Sequence, residues 1–237
     1  MTSFDAHLAS RVPGSPAAHD ADQRPVRLVM LGPPGAGKGT QAQRFARKSN
    51  VPWISTGAML RDEIQNGTPL GRAARSVMDA GQLVSDDRVI EIVRERLQQN
   101  DVARGFVLDG FPRSLPQAQS LDQLIDERAP LVIVDIEVPE EVLVTRLQAR
   151  RICRKCSKNA APGLTECDNC GGELVQRSDD NSEVVRERLR VYARSTHPIV
   201  EYYRPRATFR SVDGDQTLDS VAADIAAAVA SVVGSRR

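Results

Sequence analysis

A chain of 237 residues is long enough for one core carrying insertions or for two small domains. Its 32 Lys and Arg stand against 31 Asp and Glu, a formal net charge of +1, which gives no reason to propose nucleic-acid or membrane binding. No apolar run approaches the ~20 residues of a membrane span, and the N-terminus has no apolar secretory segment, which together predict a cytoplasmic protein.

Residues 1–25 are rich in Pro, Ala, Ser and Asp and are expected to be a disordered extension. From Val26 onward short apolar runs alternate with helical patterns, the mark of an α/β fold with a mostly parallel sheet. Strands are expected at Val26–Leu31, Pro52–Ile54, Phe106–Leu108, Leu131–Ile136 and Thr208–Val212. Helices are expected at Lys38–Ser49, Ala58–Gln65, Pro69–Ala80, Asp86–Gln99, Pro116–Arg128 and Glu140–Arg150. Three more follow at Ser182–Arg194, Pro198–Tyr203 and Leu218–Val233. Residues 151–178 break the pattern: they are rich in Cys and Gly, lack apolar periodicity, and read as an insertion into the core.

The run GPPGAGKGT at 32–40 lies between the first strand and the first helix. That context makes it a phosphate-loop candidate rather than a plain glycine-rich turn. Gly35, Gly37 and Gly39, with Ala36 between them, let backbone N–H groups turn onto phosphate oxygens, and the helix N-terminus behind them favours an anion. Lys38 supplies a point charge for the β- and γ-phosphates. The hydroxyl falls at Thr40, one position later than in the common pattern, because Gly39 intervenes.

All four cysteines lie in the insertion, Cys153, Cys156, Cys167 and Cys170, spaced C-x2-C-x10-C-x2-C. Two such turns can close a tetrahedral four-thiolate zinc site with no open position for water, which makes its role structural. Two disulfides are the alternative, disfavoured in a cytoplasmic chain, and redox chemistry is another, without a thioredoxin-like context. Arg151, Arg154, Lys155 and Lys158 make nucleic-acid binding by a zinc ribbon thinkable, but no aromatic residue interleaves them for base stacking.

Five segments in order resemble adenylate kinase of the long-lid bacterial type with a zinc-bearing lid. They are GPPGAGKGTQ at 32–41, STGAMLR at 55–61, GQLVSDD at 81–87, LDGFPRSLPQA at 108–118 and RSDDNSEVVRERL at 177–189. The resemblance runs from about residue 26 to the C-terminus. It implies a P-loop parallel sheet flanked by helices, built from 26–54, 85–147 and 188–237. It adds a small helical AMP-binding lobe at 55–84 and a zinc-ribbon-like lid at 148–187. It implies a monomer that transfers a phosphoryl group reversibly from Mg-ATP to AMP, giving two ADP. Two nucleotides crowd negative charge around the transferred group, so arginine and Mg2+ stabilisation with lid closure carries the chemistry.

By the same resemblance Arg61 and Arg113 hold the AMP phosphate. Arg146 and Arg150 approach from the lid base, Arg146 also near the adenine of ATP. Arg177 and Arg188 close on the phosphates, Asp109 positions Mg2+ through water, and Asp179 and Asp180 orient the lid arginines. Thr56, Leu83, Val84, Gly110 and Gln117 line the AMP site. Without the resemblance, Arg146 and Arg150 also fit a solvated helix face, Asp179 and Asp180 a helix start, and Asp109 a turn. Trp53 and Tyr192 read as packing residues and His197 as structural. By the same resemblance, close relatives acting on UMP and CMP usually carry Ala at the Thr56 position, so Thr56 favours AMP. Two departures stand out: Ala149 replaces a usual Gly near the lid hinge, and the ten residues between cysteine pairs are fewer than in family lids. The second predicts a weaker or less selective ATP site. The rival readings are another nucleoside monophosphate kinase and an inactive zinc-ribbon paralogue.

Overall fold

A computed structural model of the chain describes residues 25–126, 129–156, 158–161 and 163–234. The extension assigned to residues 1–25 lies outside them except for Pro25. The central sheet has five parallel strands: β1 (Val26–Leu31), β2 (Trp53–Ser55), β3 (Gly105–Asp109), β4 (Leu131–Glu137) and β7 (Phe209–Asp213). They stand in the order β2-β3-β1-β4-β7. β1 is thus flanked by strands far apart in sequence, and its C-terminal end opens at a crevice of the kind where α/β sheets bind ligands.

Helices cover both faces, so β1 and β4 are near-continuous apolar runs rather than alternating ones. Leu28 and Met30 of β1 with Val132, Val134 and Ile136 of β4 face α1 (Lys38–Ser49) and α9 (Leu218–Gly234). Val29, Leu31 and Ile133 face the other side, against α4 (Asp86–Leu97), α5 (Leu115–Leu124) and α8 (His197–Tyr203). Burying a Leu, Ile or Val fully contributes about 1.5–3 kcal/mol each, so this two-sided core dominates stability.

β1 and α1 fall at the bounds the sequence predicts. Other ends shift for local reasons. α2 (Thr56–Gln65) starts two residues early because the Ser55 hydroxyl caps it, accepting from Ala58 N at 3.4 Å. α5 stops at Leu124, where Ile125 turns extended; the remainder of the expected helix, residues 127 and 128, lies outside the described residues. The helices expected at Ser182–Arg194 and Pro198–Tyr203 are continuous. α7 (Ser182–Val191) runs into α8 through a wide π turn at Tyr192–Thr196. Pro198 causes this, since it has no N–H to offer Arg194 O and its ring crowds that carbonyl.

Two parts stand off the sheet. α2 and α3 (Pro69–Asp79) pack on each other. The cysteine-rich insertion follows α6 (Glu140–Ala149) and forms a short antiparallel pair, β5 (Ile152–Cys153) with β6 (Leu174–Val175). The two parts touch: the Ser178 hydroxyl donates to Asp79 Oδ1 at 2.7 Å. Gln82 Nε2, just past α3, donates to Glu187 Oε1 of α7 at 2.8 Å. Among the described residues no helix is long and apolar enough to cross a membrane.

Candidate active site

The C-terminal ends of β1, β2 and β3, together with α2, α7 and the insertion, enclose a cavity of about 480 Å³. Gly35, Gly37, Lys38, Gly39 and Thr40 form its floor. Gly37 takes φ 87 as the residue that opens α1, and no acidic side chain competes in the first turn. Ala36 is the exception on this loop: it is 3% exposed, packs into the core, and its N–H goes to Pro33 O at 3.1 Å. Lys38 Nζ folds back onto the loop, donating to Gly32 O at 2.7 Å and Pro33 O at 2.8 Å. Burial lowers its pKa to about 7; Asp109 opposes the shift, while Arg113, Arg188 and Arg150 add to it.

One wall carries the residues expected at the monophosphate. Thr56 donates its hydroxyl to Gly110 O at 2.7 Å, and Arg113 Nε donates to the same oxygen at 2.9 Å. Gly110 must be glycine: its φ is +77, and a Cβ there would lie 2.8 Å from the Arg113 guanidinium. Gln117 is 1% exposed and fixed at both ends of its amide. Its oxygen accepts from Arg113 N at 2.8 Å and its nitrogen donates to Asp86 Oδ1 at 2.7 Å. Leu83, Val84 and Arg61 complete this wall.

The opposite wall is an arginine–aspartate lattice. Arg177 grips Asp179 through two bonds of 2.8 and 2.5 Å. Arg150 grips Asp180 in the same way, at 2.7 and 2.5 Å. Arg188 bridges the pair, donating to Asp179 O at 2.9 Å and to Asp180 Oδ1 at 2.7 Å. Asp179 lines the cavity, whereas Asp180, fully buried, stands behind it. Burial alone would raise the Asp179 carboxyl, but the guanidinium groups of Arg177, Arg188 and Arg150 outweigh it and hold it below the usual carboxylate range. Burial in this crowd of cations brings Arg61 and Arg177 down to about 10, still charged at neutral pH. It lowers Arg113 and Arg188 as well. So much buried positive charge, beside the carboxylates of Asp109, Asp179 and Asp180, suits a polyanion. Asp109 Oδ2 lies beside Gly39, 3.2 Å from where a Cβ on that glycine would be, so a hard oxygen ligand stands at the phosphate loop where a Mg2+ bound to phosphates would need one. Arg146 sits further out, donating to Gly214 O at 2.9 Å and paired with Asp215 at 3.4 Å.

In the insertion the four sulfur atoms lie within 4.8 Å of one another. Cys153 and Cys170 are 3.5 Å apart, Cys156 and Cys167 3.6 Å. A disulfide needs about 2.05 Å, whereas a tetrahedron of ~2.3 Å Zn–S bonds has edges of ~3.8 Å. Backbone N–H groups of Lys155 and Cys156 point at the Cys153 sulfur, as a thiolate requires. Gly172 brings the backbone against the cluster, since a Cβ there would lie 2.7 Å from the Cys153 sulfur. The donor set fits a four-coordinate thiophilic ion.

A family model described as adenylate kinase matches residues 30–208. The chain belongs to the adenylate kinase family. The adenylate kinase of Archaeoglobus fulgidus is 48% identical over 210 residues, spanning 85% of this chain and 97% of its own. That of Methanocella arvoryzae is 44% identical over 212 residues, spanning 86% and 98%. That of Moorella thermoacetica is 47% identical over 206 residues, spanning 83% and 94%.

Sequence reasoning missed several residues. Trp53 and Tyr192 do pack, but both also line the cavity, as do Asn159 and Thr196. Tyr192 and Thr196 belong to the π turn, and Thr196 donates to Arg113 O at 2.9 Å. His197, exposed, packs its ring edge-on to Tyr192. Asp135 had no signal, sitting in an apolar strand. It is 4% exposed and its Oδ1 meets no donor. Burial raises its pKa to about 6, helped by Glu137 and opposed by Lys38. A carboxyl at about 6 folded and 3.8 unfolded holds its proton more tightly in the native state. Stability therefore falls as pH rises between those values and stays reduced above them. Asp135→Asn escapes that loss. It is expected to be more stable than the natural chain by about 1–3 kcal/mol at pH 8, with the gain shrinking toward pH 4. Urea titrations at both pH values test this, and an equal offset at both would remove the carboxyl from the account.

Proposed function

We propose that the protein transfers the γ-phosphoryl group of Mg-ATP to AMP, reversibly, giving two ADP. The observation that carries this reading is the pair of facing walls: a phosphate loop with a buried lysine, opposed by an arginine–aspartate lattice and flanked by a pocket of fixed polar groups. The loop and Lys38 would hold the β- and γ-phosphates, and Arg61 and Arg113 the AMP phosphate. Arg150, Arg177 and Arg188 would meet the charge that spreads over the transferring group. Asp179 and Asp180 hold those guanidinium groups in place before substrate arrives. Mg2+ bound with the donor nucleotide would supply further charge stabilisation, and Asp109 is the residue that would position it through water.

Thr56 supports AMP as acceptor. Its proton is spent on Gly110 O, so it offers the cavity only lone pairs. Those suit an exocyclic amine, as on adenine, and reject the carbonyl oxygen that guanine or uracil presents in its place. Residues 55–84 would close over AMP and 148–187 over ATP. We propose zinc at the four cysteines, with a structural role. Thiols kept apart for a metal suit a reducing compartment such as the cytoplasm, and a cleft complete within one chain suits a monomer.

Offering AMP, GMP, UMP and CMP separately with Mg-ATP tests the reading. AMP is expected to turn over at least ~10³-fold more efficiently than GMP or UMP. Comparable turnover with uridine or guanosine monophosphate would keep the chemistry and overturn the base assignment.

A further inference from the structure

Gln117 reaches the acceptor wall with its amide half committed. It lines the cavity, its oxygen accepts from Arg113 N at 2.8 Å, and its nitrogen donates to Asp86 Oδ1 at 2.7 Å. The amide cannot turn over. A backbone N–H only donates and a carboxylate only accepts, so the reverse orientation would set donor against donor at Arg113 and acceptor against acceptor at Asp86. One amide N–H and one lone pair of the oxygen are left for a ligand, in a fixed order.

That order can tell purines apart. Adenine presents an exocyclic amine beside an unprotonated ring nitrogen. Hypoxanthine, the base of IMP, has the same shape and presents a carbonyl beside a ring N–H, so donor and acceptor are exchanged. An amide able to turn over could serve either base. A locked one serves the first and leaves itself unpaired, or opposed, against the second.

The lock comes from α4 rather than from the pocket. Asp86 is the first residue of that helix, two positions after Val84 of the acceptor wall, and does not itself line the cavity. The same Oδ1 also accepts the Ser114 hydroxyl at 2.7 Å, and Ser114 Oγ in turn accepts from Gln117 N at 3.4 Å as the cap of α5. One oxygen thus holds both the start of α5 and the amide three residues on. Asp87 shares the first turn of α4 and is exposed. A helix start favours an acid at either position, so the helix alone does not account for what Asp86 touches.

We propose that Asp86 sets the acceptor-base specificity of the protein, as a positioning residue that acts through Gln117. This rests on the adenylate kinase reading above.

The test measures kcat/KM for AMP and for IMP with Mg-ATP saturating. Asp86→Ala frees the amide, and the AMP-over-IMP ratio is expected to fall by about 10–100-fold, the scale of one buried polar mismatch. The change should lie in KM for the monophosphate, with KM for Mg-ATP unmoved. Thr56, still bound to Gly110 O, should keep the ratio above one. Asp86→Asn retains an oxygen for both Ser114 and Gln117 and is expected to keep the natural ratio. Asp87→Ala removes a charge from the same helix start and is expected to keep it too. Asp86→Ser suits a helix start but falls short of Gln117, and it carries the same expectation should Asp86→Ala not fold. A natural ratio in the alanine or serine variant overturns the proposal. So does an equal loss in Asp86→Asn or Asp87→Ala, or a fall in kcat with both nucleotides at an unchanged ratio, which marks a merely structural role. Failure of the natural chain to phosphorylate AMP would instead overturn the adenylate kinase reading.

Discussion

Lys38→Ala is expected to lower turnover by at least ~10²–10³-fold while leaving the fold intact, the scale seen when one preorganised group is removed from a developing charge. Lys38 is buried at the floor of the cavity, and among the described residues its ammonium hydrogen-bonds the loop carbonyls of Gly32 and Pro33. Burial disfavours that charge, which is why its pKa falls to about 7. A bound triphosphate reverses this by placing negative charge against it. Removing the side chain therefore removes transition-state stabilisation and relieves a strain of the unliganded protein, so the thermal midpoint should not fall. The same pKa makes a second, independent prediction. At pH 8 the free lysine is mostly neutral and the bound one charged, so Mg-ATP binding should take up close to one proton. Calorimetry in buffers of different ionisation enthalpy measures that number. It should drop toward zero in Lys38→Ala. A variant with near-normal turnover would remove the phosphate-loop assignment altogether.

Stripping the cysteine cluster of its ion, or replacing Cys153 with serine, should unfold the insertion before the core. β5 and β6 offer two residue pairs, far too few for an independently stable hairpin. Among the described residues the buried side chains of this part are Cys153 and Cys167, 0% and 4% exposed. Structural zinc contributes ~10–16 kcal/mol of folding free energy in small metal-dependent domains, far more than two buried side chains supply. Arg177, Asp179 and Asp180 follow Cys170 by seven to ten positions, and Arg150 stands three before Cys153. Loss of the cluster should therefore also misplace the arginine lattice and cost turnover on the order of 10²-fold. Differential scanning calorimetry should show a separate low-temperature transition, and limited proteolysis should cut between residues 151 and 177. Elemental analysis of protein purified without chelator should find one zinc per chain, and finding no metal would end the zinc assignment.

How far the sequence could be read followed how local each interaction is. β1, the phosphate loop and α1 were legible to the residue because strand, glycines and helix start are consecutive, and their geometry is fixed by neighbours in the chain. The cysteine cluster was legible because spacing alone limits what two turns can hold. The lattice was only half legible. Arg177 and Asp179 are two residues apart, but the partners Arg150 and Asp180 are thirty apart, and only the folded insertion brings them within hydrogen-bond reach. Trp53 and Tyr192 look like core residues in any window of sequence, because a side chain that packs on one edge and lines a cavity on the other has the composition of both.

By itself the sequence determined the α/β class, the phosphate loop, the thiolate cluster and the family, since each depends on residue type, spacing or a consecutive motif. Only the tertiary structure decided what each polar group has left to offer. Thr56 became an acceptor toward the cavity because Gly110 O took its proton, and Gln117 became fixed because Asp86 lies across from it. Asp135 became an acid of raised pKa because it is buried within the sheet, between β1 and β7. Asn159 came to face the phosphate loop because the insertion folds back over α1. Hydrogen-bond capacity and desolvation are set by which groups meet across the chain, and no window of sequence contains those meetings.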